Sequence, residues 1–81
     1  MFHDAPEMLA VIDCESNFTH YKADGTVLTG RVTPDQGATQ ISPKHHPHVD
    51  AEDLFTNLAY ARHLYDRNGT RDWVCAKLVL L

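Results

Sequence analysis

The chain has 81 residues, of which 43% are hydrophobic and 22% are charged, and its formal net charge is −4. A chain of this length forms one small domain over residues 1–81, and its ordinary globular composition excludes a disordered, fibrous or repeat protein. The acidic balance argues against nucleic acid as a partner, because phosphate binding requires a basic patch and the sequence has no long run of Lys and Arg. A neutral polymer such as a polysaccharide is compatible with this charge.

The first residues and the two cysteines are relevant to the cellular location of the protein. Residues 1–7 have no basic segment and no apolar segment, so no signal peptide is predicted, and no apolar run reaches the length of a membrane span. Cys14 and Cys75 are too far apart for a paired-cysteine metal motif. A disulfide between them is compatible with the sequence, but free buried thiols are the expected state because nothing in the sequence fixes the redox compartment.

The first predicted helix begins after Asp4, which is placed to cap it, and Glu7 follows three residues later as in a capping box. Pro6 is tolerated in the first turn of a helix. The helix should end near Asn17, with Phe18 packing at its end.

A carboxylate interrupts the apolar stripe of this helix. Met8, Val11 and Ile12 recur at helical spacing, and Glu15 takes the next position on the same face. Such a conflict tends to mark a functional or strained site, and partial burial would raise the pKa of the carboxyl group towards that of a general acid near neutral pH. The alternative interpretation, which periodicity alone favours, is that Glu15 is a solvated charge at the rim of the stripe.

The middle of the chain predicts a small β-flap and a short helix. Residues 21–28 have a hairpin pattern with Asp24-Gly25 as the tight turn, and residues 31–33 predict a third short strand. A short helix is predicted over residues 42–46, since Ser and Pro begin that segment and a further proline ends it.

The strongest helix prediction starts at residues 50–53, an acidic N-terminal signal. Gly69 closes this helix as a C-cap. Its apolar positions recur at spacings of three and four residues: Leu54, Phe55, Leu58, Ala61, Leu64 and Tyr65. The apolar tail, residues 74–81, is expected to close the core, and the alternative is that it covers a partner's surface.

These elements predict an α+β domain that is mostly α, with two main helices, short bridging helices and a small β-hairpin flap. The strands are so short that the flap depends on the helices beside it. A flap beside the end of the first helix makes a cleft, and Glu15 would lie at its floor.

Three motifs, in this order, resemble those of the lytic transglycosylase and goose-type lysozyme superfamily. Residues 15–18 are similar to its Glu-Ser-x-Phe motif, and residues 37–42 are similar to its Gly-x-Met-Gln-Ile-Asn stretch. Asn57 followed by Tyr60 resembles the family's next helix, and the inserted hairpin resembles a small single-domain branch of the family. The resemblance covers most of the chain and implies a lysozyme-like fold.

The resemblance implies an enzyme that cleaves the β-1,4 bond between N-acetylmuramic acid and N-acetylglucosamine in peptidoglycan. Glu15 would protonate the glycosidic oxygen and then act as a base towards either the sugar's own C6 hydroxyl or water. An inverting hydrolase would need a second carboxylate, for which Asp24 and Asp35 are the candidates. Both aspartates are also ordinary turn residues, and that interpretation is the stronger one from sequence.

The resemblance also assigns polar neighbours to the site. Gln40 and Tyr60 would position Glu15 or the sugar, and Ser16 would steady the site through backbone contacts. Thr39 stands where the family has a methionine that lines the sugar site, and the chain has no Tyr-Asn-x-Gly segment after its long second helix. These departures motivate the second hypothesis, a catalytically weak or inactive module of the same fold that binds glycan or a protein partner.

The histidines give a third hypothesis. His45, His46 and His48 lie within four positions, and neutral imidazoles bind zinc or copper. A proline breaks their geometry and no cysteine lies nearby, so neither a metal nor any other cofactor is predicted. His20 and His63 are expected at the surface or rim.

The predicted partners are peptidoglycan glycan strands and, through the apolar tail, a second copy of the chain in a homodimer. Nucleic acid and a membrane span are not expected. The expected localisation is the cell envelope, the periplasm or the extracellular space, reached by phage delivery or through a leader that has been removed.

Overall fold

The computed structural model describes residues 1–30 and 34–80, and in these ranges the chain is mostly helical with a small β component. The helices are α1 (Pro6–Ser16), α2 (Leu54–Asn68) and α3 (Ala76–Val79). The predicted class, mostly α with a little β, is confirmed at this level. No helix in the described ranges is long and apolar enough to cross a membrane.

Helix α1 has the predicted boundaries but not the predicted cap. Its N-cap is Ala5, which makes no side-chain cap hydrogen bond, and its C-cap is Asn17 in the left-handed region with φ of 53°. The Asn17 N–H donates to the Asp13 carbonyl at 2.7 Å, which closes the last turn. The apolar stripe of Met8, Val11 and Ile12 is buried in the core as expected.

Contacts with α2 replace the predicted capping box. Arg62 donates from both terminal nitrogens to the Asp4 carboxylate, at 2.6 and 3.0 Å. This pairing lowers the pKa of Asp4 to about 2. Glu7 accepts a hydrogen bond from the Tyr65 hydroxyl instead of returning to the helix start. The capping prediction was wrong because both carboxylates find partners on α2, some 58 residues away along the chain.

Helix α2 is capped at both ends as predicted. The Asp53 carboxylate accepts from the Thr56 N–H at 2.9 Å, and Gly69 at the C-cap donates its N–H to the Tyr65 carbonyl. The predicted apolar face is only partly correct, since Phe55 is 71% exposed. Two apolar residues of α2, Ala61 and Leu64, are buried, together with the polar Asn57.

The β component is a hairpin joined to a short loop. Tyr21 and Val27 form an antiparallel bridge, and Gly25 takes a φ of 88° in the turn between them, so the predicted Asp24-Gly25 turn is confirmed. The predicted third strand, residues 31–33, lies outside the described residues. Residues 42–46 form a single turn instead of the predicted helix, with the His46 N–H donating to the Ser42 carbonyl.

The C-terminal segment does not close the core in the way that its composition suggests. Trp73 and Ala76 are buried, but Val74 is 77% exposed and Leu78 is 71% exposed. A four-residue helix can turn only one narrow face inwards, which leaves its other apolar side chains in solvent. Phe18 also departs from expectation: it has a positive φ of 58°, and its side chain is 60% exposed instead of packed at the helix end.

A disulfide joins Cys14 on α1 to Cys75 at the N-cap of α3, with the two Cα atoms 5.9 Å apart. The expectation of free buried thiols was therefore wrong. Helix α3 packs against α1, and this packing brings together two cysteines that are 61 positions apart. The link ties the C-terminal end of α1, where Glu15 lies, to the end of the chain.

Candidate active site

Glu15 lies in the last turn of α1, beside a depression of about 410 Å³. The end of the hairpin, at Leu28, Thr29 and Gly30, forms one wall of this depression, and Gln40 lies on another. Glu15 is half-buried, because the apolar stripe of α1 that carries it runs into the core. A helix end beside a hairpin thus makes the cleft that the pattern predicts.

The pKa of Glu15 is raised above its ordinary value. Burial is the main cause, because it removes water from the charged form, and the negative charge of Asp35 adds to the effect. A carboxyl group with a raised pKa keeps its proton to higher pH and can donate it to a leaving group.

A tight loop presents Gln40 to the depression. Gln36 and Ile41 exchange both backbone hydrogen bonds, at 2.8 and 3.0 Å, and so close the loop of residues 37–40. The Gly37 N–H donates to the Leu28 carbonyl, which ties this loop to the hairpin. Gln40 has a positive φ of 54°, and its side-chain amide nitrogen donates to the Gly37 carbonyl at 2.8 Å. The side chain is therefore held by its own loop.

Ser16 joins the loop to the helix. It is buried, and its hydroxyl lies 2.6 Å from the Ala38 carbonyl and 3.2 Å from the Ile12 carbonyl. A hydroxyl has one proton, and the shorter contact is the better hydrogen bond. Ser16 is thus engaged with the backbone, at the position next to Glu15.

A second depression, of about 500 Å³, also has Gln40 in its lining. Asp35, His45, His46 and Asp72 line it together with Gln40, which belongs to both depressions. Gln40 is therefore the residue that these two depressions share.

Tyr60 and Asp24 are not brought to the cleft by the described part of the chain. The Tyr60 hydroxyl lies 2.9 Å from Nδ1 of His46, and its ring packs against those of three histidines, His46, His48 and His63. It reaches the second depression only through His46. Asp24 is at the hairpin tip, where its carboxylate accepts from the N–H and the hydroxyl of Thr26.

A buried polar network lies behind the loop. Thr39 is fully buried, and its hydroxyl donates to the Asn57 side chain at 2.6 Å, so it does not line the cleft as the motif comparison implies. The expectation that His20 lies at the surface was also wrong, since His20 is 5% exposed. The sequence could have predicted this network from Asn57, because Asn57 is a polar residue on the buried face of α2 and a buried amide needs hydrogen-bond partners.

Gly37 is expected to be intolerant of a side chain. Its φ is +76°, and an added Cβ would lie 2.5 Å from the His20 ring and 2.6 Å from the Asn57 amide. Left-handed strain and overpacking together predict a loss of about 2–4 kcal/mol in the free energy of unfolding for Gly37→Ala, measured by urea denaturation.

Gly25→Ala is the matched control for this substitution. Gly25 has a φ of +88° but no atom within 4 Å of an added Cβ, so an alanine there would have the backbone strain but no steric clash. We expect it to lose only about 1 kcal/mol. Equal losses in the two variants would contradict the close packing of Gly37 against the network.

The histidines do not form a metal centre within the described ranges, where no group of three His, Cys, Asp or Glu side chains could hold a metal ion. Three of them, His46, His48 and His63, surround Tyr60 instead. Their chemistry is that of aromatic packing around a phenol ring.

The chain matches no protein-family model, no curated protein and no solved structure. The group in the cleft that is best suited to acid–base chemistry is the half-buried Glu15 carboxyl group, whose pKa is raised and which shares its depression with Gln40.

Proposed function

We propose that this chain is a peptidoglycan-cleaving glycosidase of the lytic transglycosylase or lysozyme type, with a lysozyme-like fold and Glu15 as its catalytic acid and base. The substrate would be the β-1,4 bond between N-acetylmuramic acid and N-acetylglucosamine. Glu15, the residue that the Glu-Ser-x-Phe resemblance identifies, carries this proposal, because it is half-buried beside a depression and its pKa is raised.

The proposed reaction begins with the transfer of the Glu15 proton to the glycosidic oxygen as the bond to the anomeric carbon breaks. A base must then take a proton from the nucleophile that attacks the anomeric carbon, and in a transglycosylase the Glu15 carboxylate is that base. If that nucleophile is the sugar's own C6 hydroxyl, one carboxylate is enough and the product is a 1,6-anhydro sugar. If it is water in an inverting reaction, Glu15 acts only as the acid, and a second carboxylate about 6.5–9.5 Å from the first takes the proton from the water on the opposite face of the sugar.

Asp35 is the better supported of the two candidates for a second carboxylate. Its charge acts on Glu15, and it lines the second depression, which shares Gln40 with the first. Asp24 accepts hydrogen bonds from Thr26 within its own turn, and those contacts lower its pKa. In this proposal, Gln40 contacts the sugar between the two acids and Ser16 holds the loop that carries Gln40.

The Cys14–Cys75 disulfide supports a location in the cell envelope or outside the cell. Disulfides form and persist in oxidising compartments such as the periplasm and the extracellular space. Peptidoglycan lies in the same compartments, so the crosslink and the proposed substrate point to one place of action.

The test is incubation of purified peptidoglycan with the oxidised protein, followed by mass spectrometry of the soluble products. Fragments that end in a 1,6-anhydro sugar would identify a transglycosylase, and fragments with reducing ends would identify a hydrolase. If no fragments appear under conditions in which a control lysozyme digests the same material, the catalytic proposal is wrong.

The variant Asp35→Asn is expected to show whether Asp35 only raises the pKa of Glu15 or also acts as the base in the reaction. Removing the negative charge lowers the pKa of Glu15, so the fall in activity on the alkaline side should move to lower pH. A transglycosylase would otherwise keep its maximal rate, whereas an inverting hydrolase would lose about 100-fold or more. An unshifted alkaline limb with full activity would contradict the coupling of Asp35 to Glu15.

A second candidate function is supported by the exposed C-terminal side chains. Val74 and Leu78 are large apolar residues in solvent, which suits a module that binds a glycan, a protein or a second copy of itself. Binding to peptidoglycan without release of fragments would favour this candidate. A concentration-dependent dimer that dissociates in Leu78→Lys would favour its homodimeric form.

A further inference from the structure

His20 has no role in the proposed reaction, yet its imidazole is among the few buried polar side chains in the described ranges. The Ala38 N–H donates to Nδ1 at 3.0 Å, and Nε2 lies 2.6 Å from the Glu52 carbonyl oxygen. Since Nδ1 accepts, the ring proton must be on Nε2, which donates to Glu52. The contacts therefore specify one neutral tautomer.

Ala38 is held from two directions. Its N–H is bound by His20, and its carbonyl oxygen accepts from Ser16, the residue that follows Glu15. The same short loop carries Gln40 into the cleft. A displacement of Ala38 would consequently move Gln40 relative to Glu15.

The His20 ring also determines how closely the loop approaches α2. An added Cβ on Gly37 would lie 2.5 Å from Cε1 of His20 and 2.6 Å from the Asn57 amide nitrogen. The loop backbone is thus packed directly on the imidazole, and the ring is anchored in turn on the Glu52 carbonyl just before α2.

We infer that His20 is a positioning residue for the Glu15–Gln40 site, which acts by fixing the Gly37–Gln40 loop against the end of α1. This inference rests on the proposed function. The buried His20 ring does not touch the substrate. It acts through Ala38, whose two backbone hydrogen bonds, to His20 and Ser16, set the distance between the Glu15 carboxyl group and the Gln40 side-chain amide. Misplacement of a reacting group by about 1 Å can lower a rate about 100-fold.

The tautomer can be measured without any assay of activity. In ¹⁵N-labelled protein, the His20 imidazole should give the nitrogen signals of a neutral ring protonated at Nε2. A ring protonated at Nδ1 could not accept from Ala38, and that result would overturn the inference.

Two substitutions of His20 separate positioning from stability. His20→Leu removes both hydrogen bonds, and we expect kcat to fall at least tenfold at a temperature where the variant is folded. His20→Gln retains an acceptor and a donor and should recover most of that loss. Met8→Ala is the matched control, because Met8 is fully buried and lines neither the two depressions that share Gln40 nor the cavity beside His20 and Ala38.

The titration of the Glu15 carboxyl group, followed by ¹³C NMR, tests the positioning role even if the protein proves to have no enzymatic activity. If the loop moves in His20→Leu, the midpoint of the Glu15 titration should shift towards that of an ordinary glutamate, and it should stay in place in His20→Gln and Met8→Ala. An inactive wild type that shows this pattern would overturn the proposed function and leave the positioning of Glu15 intact. Equal behaviour of His20→Leu and Met8→Ala, in rate and in titration, would overturn the positioning role.

Discussion

Glu15→Gln is expected to lower the rate of peptidoglycan cleavage about 1,000-fold or more while leaving the protein folded. An amide of the same shape cannot donate a proton to the glycosidic oxygen or remove one from the nucleophile, and loss of general acid–base catalysis reduces rates by about 100- to 10,000-fold. The measurement is the initial rate of release of soluble fragments, with products identified by mass spectrometry.

The stability of Glu15→Gln distinguishes this result from simple unfolding. Burial raises the pKa of Glu15 in the folded state, so the folded protein binds this proton more tightly than the unfolded chain does. Its stabilising effect is fully present at low pH and is lost as the pH rises through the raised pKa. The variant should therefore have the same or a higher Tm than wild type near neutral pH. Glu52→Gln, at an exposed position, is the control and should retain wild-type activity.

Reduction of the Cys14–Cys75 disulfide is expected to lower the free energy of unfolding by about 4 kcal/mol. In the chain-entropy model, a crosslink between residues 61 positions apart removes this much freedom from the unfolded chain. For a domain of this size the loss corresponds to a fall in Tm of about 15–30 °C. Differential scanning calorimetry with and without a dithiol reductant measures it.

The double variant Cys14→Ser/Cys75→Ser is the control for the reductant. The chain has two cysteines, so this variant should have the low Tm of the reduced wild type and should not respond to dithiol. A Tm that is equal in oxidised and reduced wild type, with alkylation confirming free thiols in the reduced sample, would contradict the expected contribution of the crosslink.

Capping and turn residues in the sequence were sufficient to predict the bounds of α2 and the hairpin turn. Asp53 and Gly69 mark the ends of α2 because a cap depends on residues within one turn of it. The Asp24-Gly25 turn is equally local, since glycine is the residue that tolerates a φ of 88°. The half-buried position of Glu15 agrees with the apolar stripe that it continues on α1, and its catalytic role stays a prediction.

The features that sequence reasoning missed depend on contacts between distant segments. Asp4 had a plausible local role as a cap, but the Arg62 guanidinium is a stronger partner that only the fold brings near. The burial of His20 likewise depends on Ala38 and Glu52, which surround it from two other parts of the chain. No periodicity in the neighbourhood of either residue carries that information.

The position of the disulfide makes most of the chain a closed covalent ring. The exposed hairpin tip, at Asp24 and Gly25, lies within this ring, and exposed tips are where proteases cut. A cut there would leave Glu15 and Gln40 on different pieces of polypeptide, each piece with one cysteine of the pair. The two pieces would still migrate as one molecule until reduced, so the domain can survive a backbone break between the two halves of its cleft without losing either half.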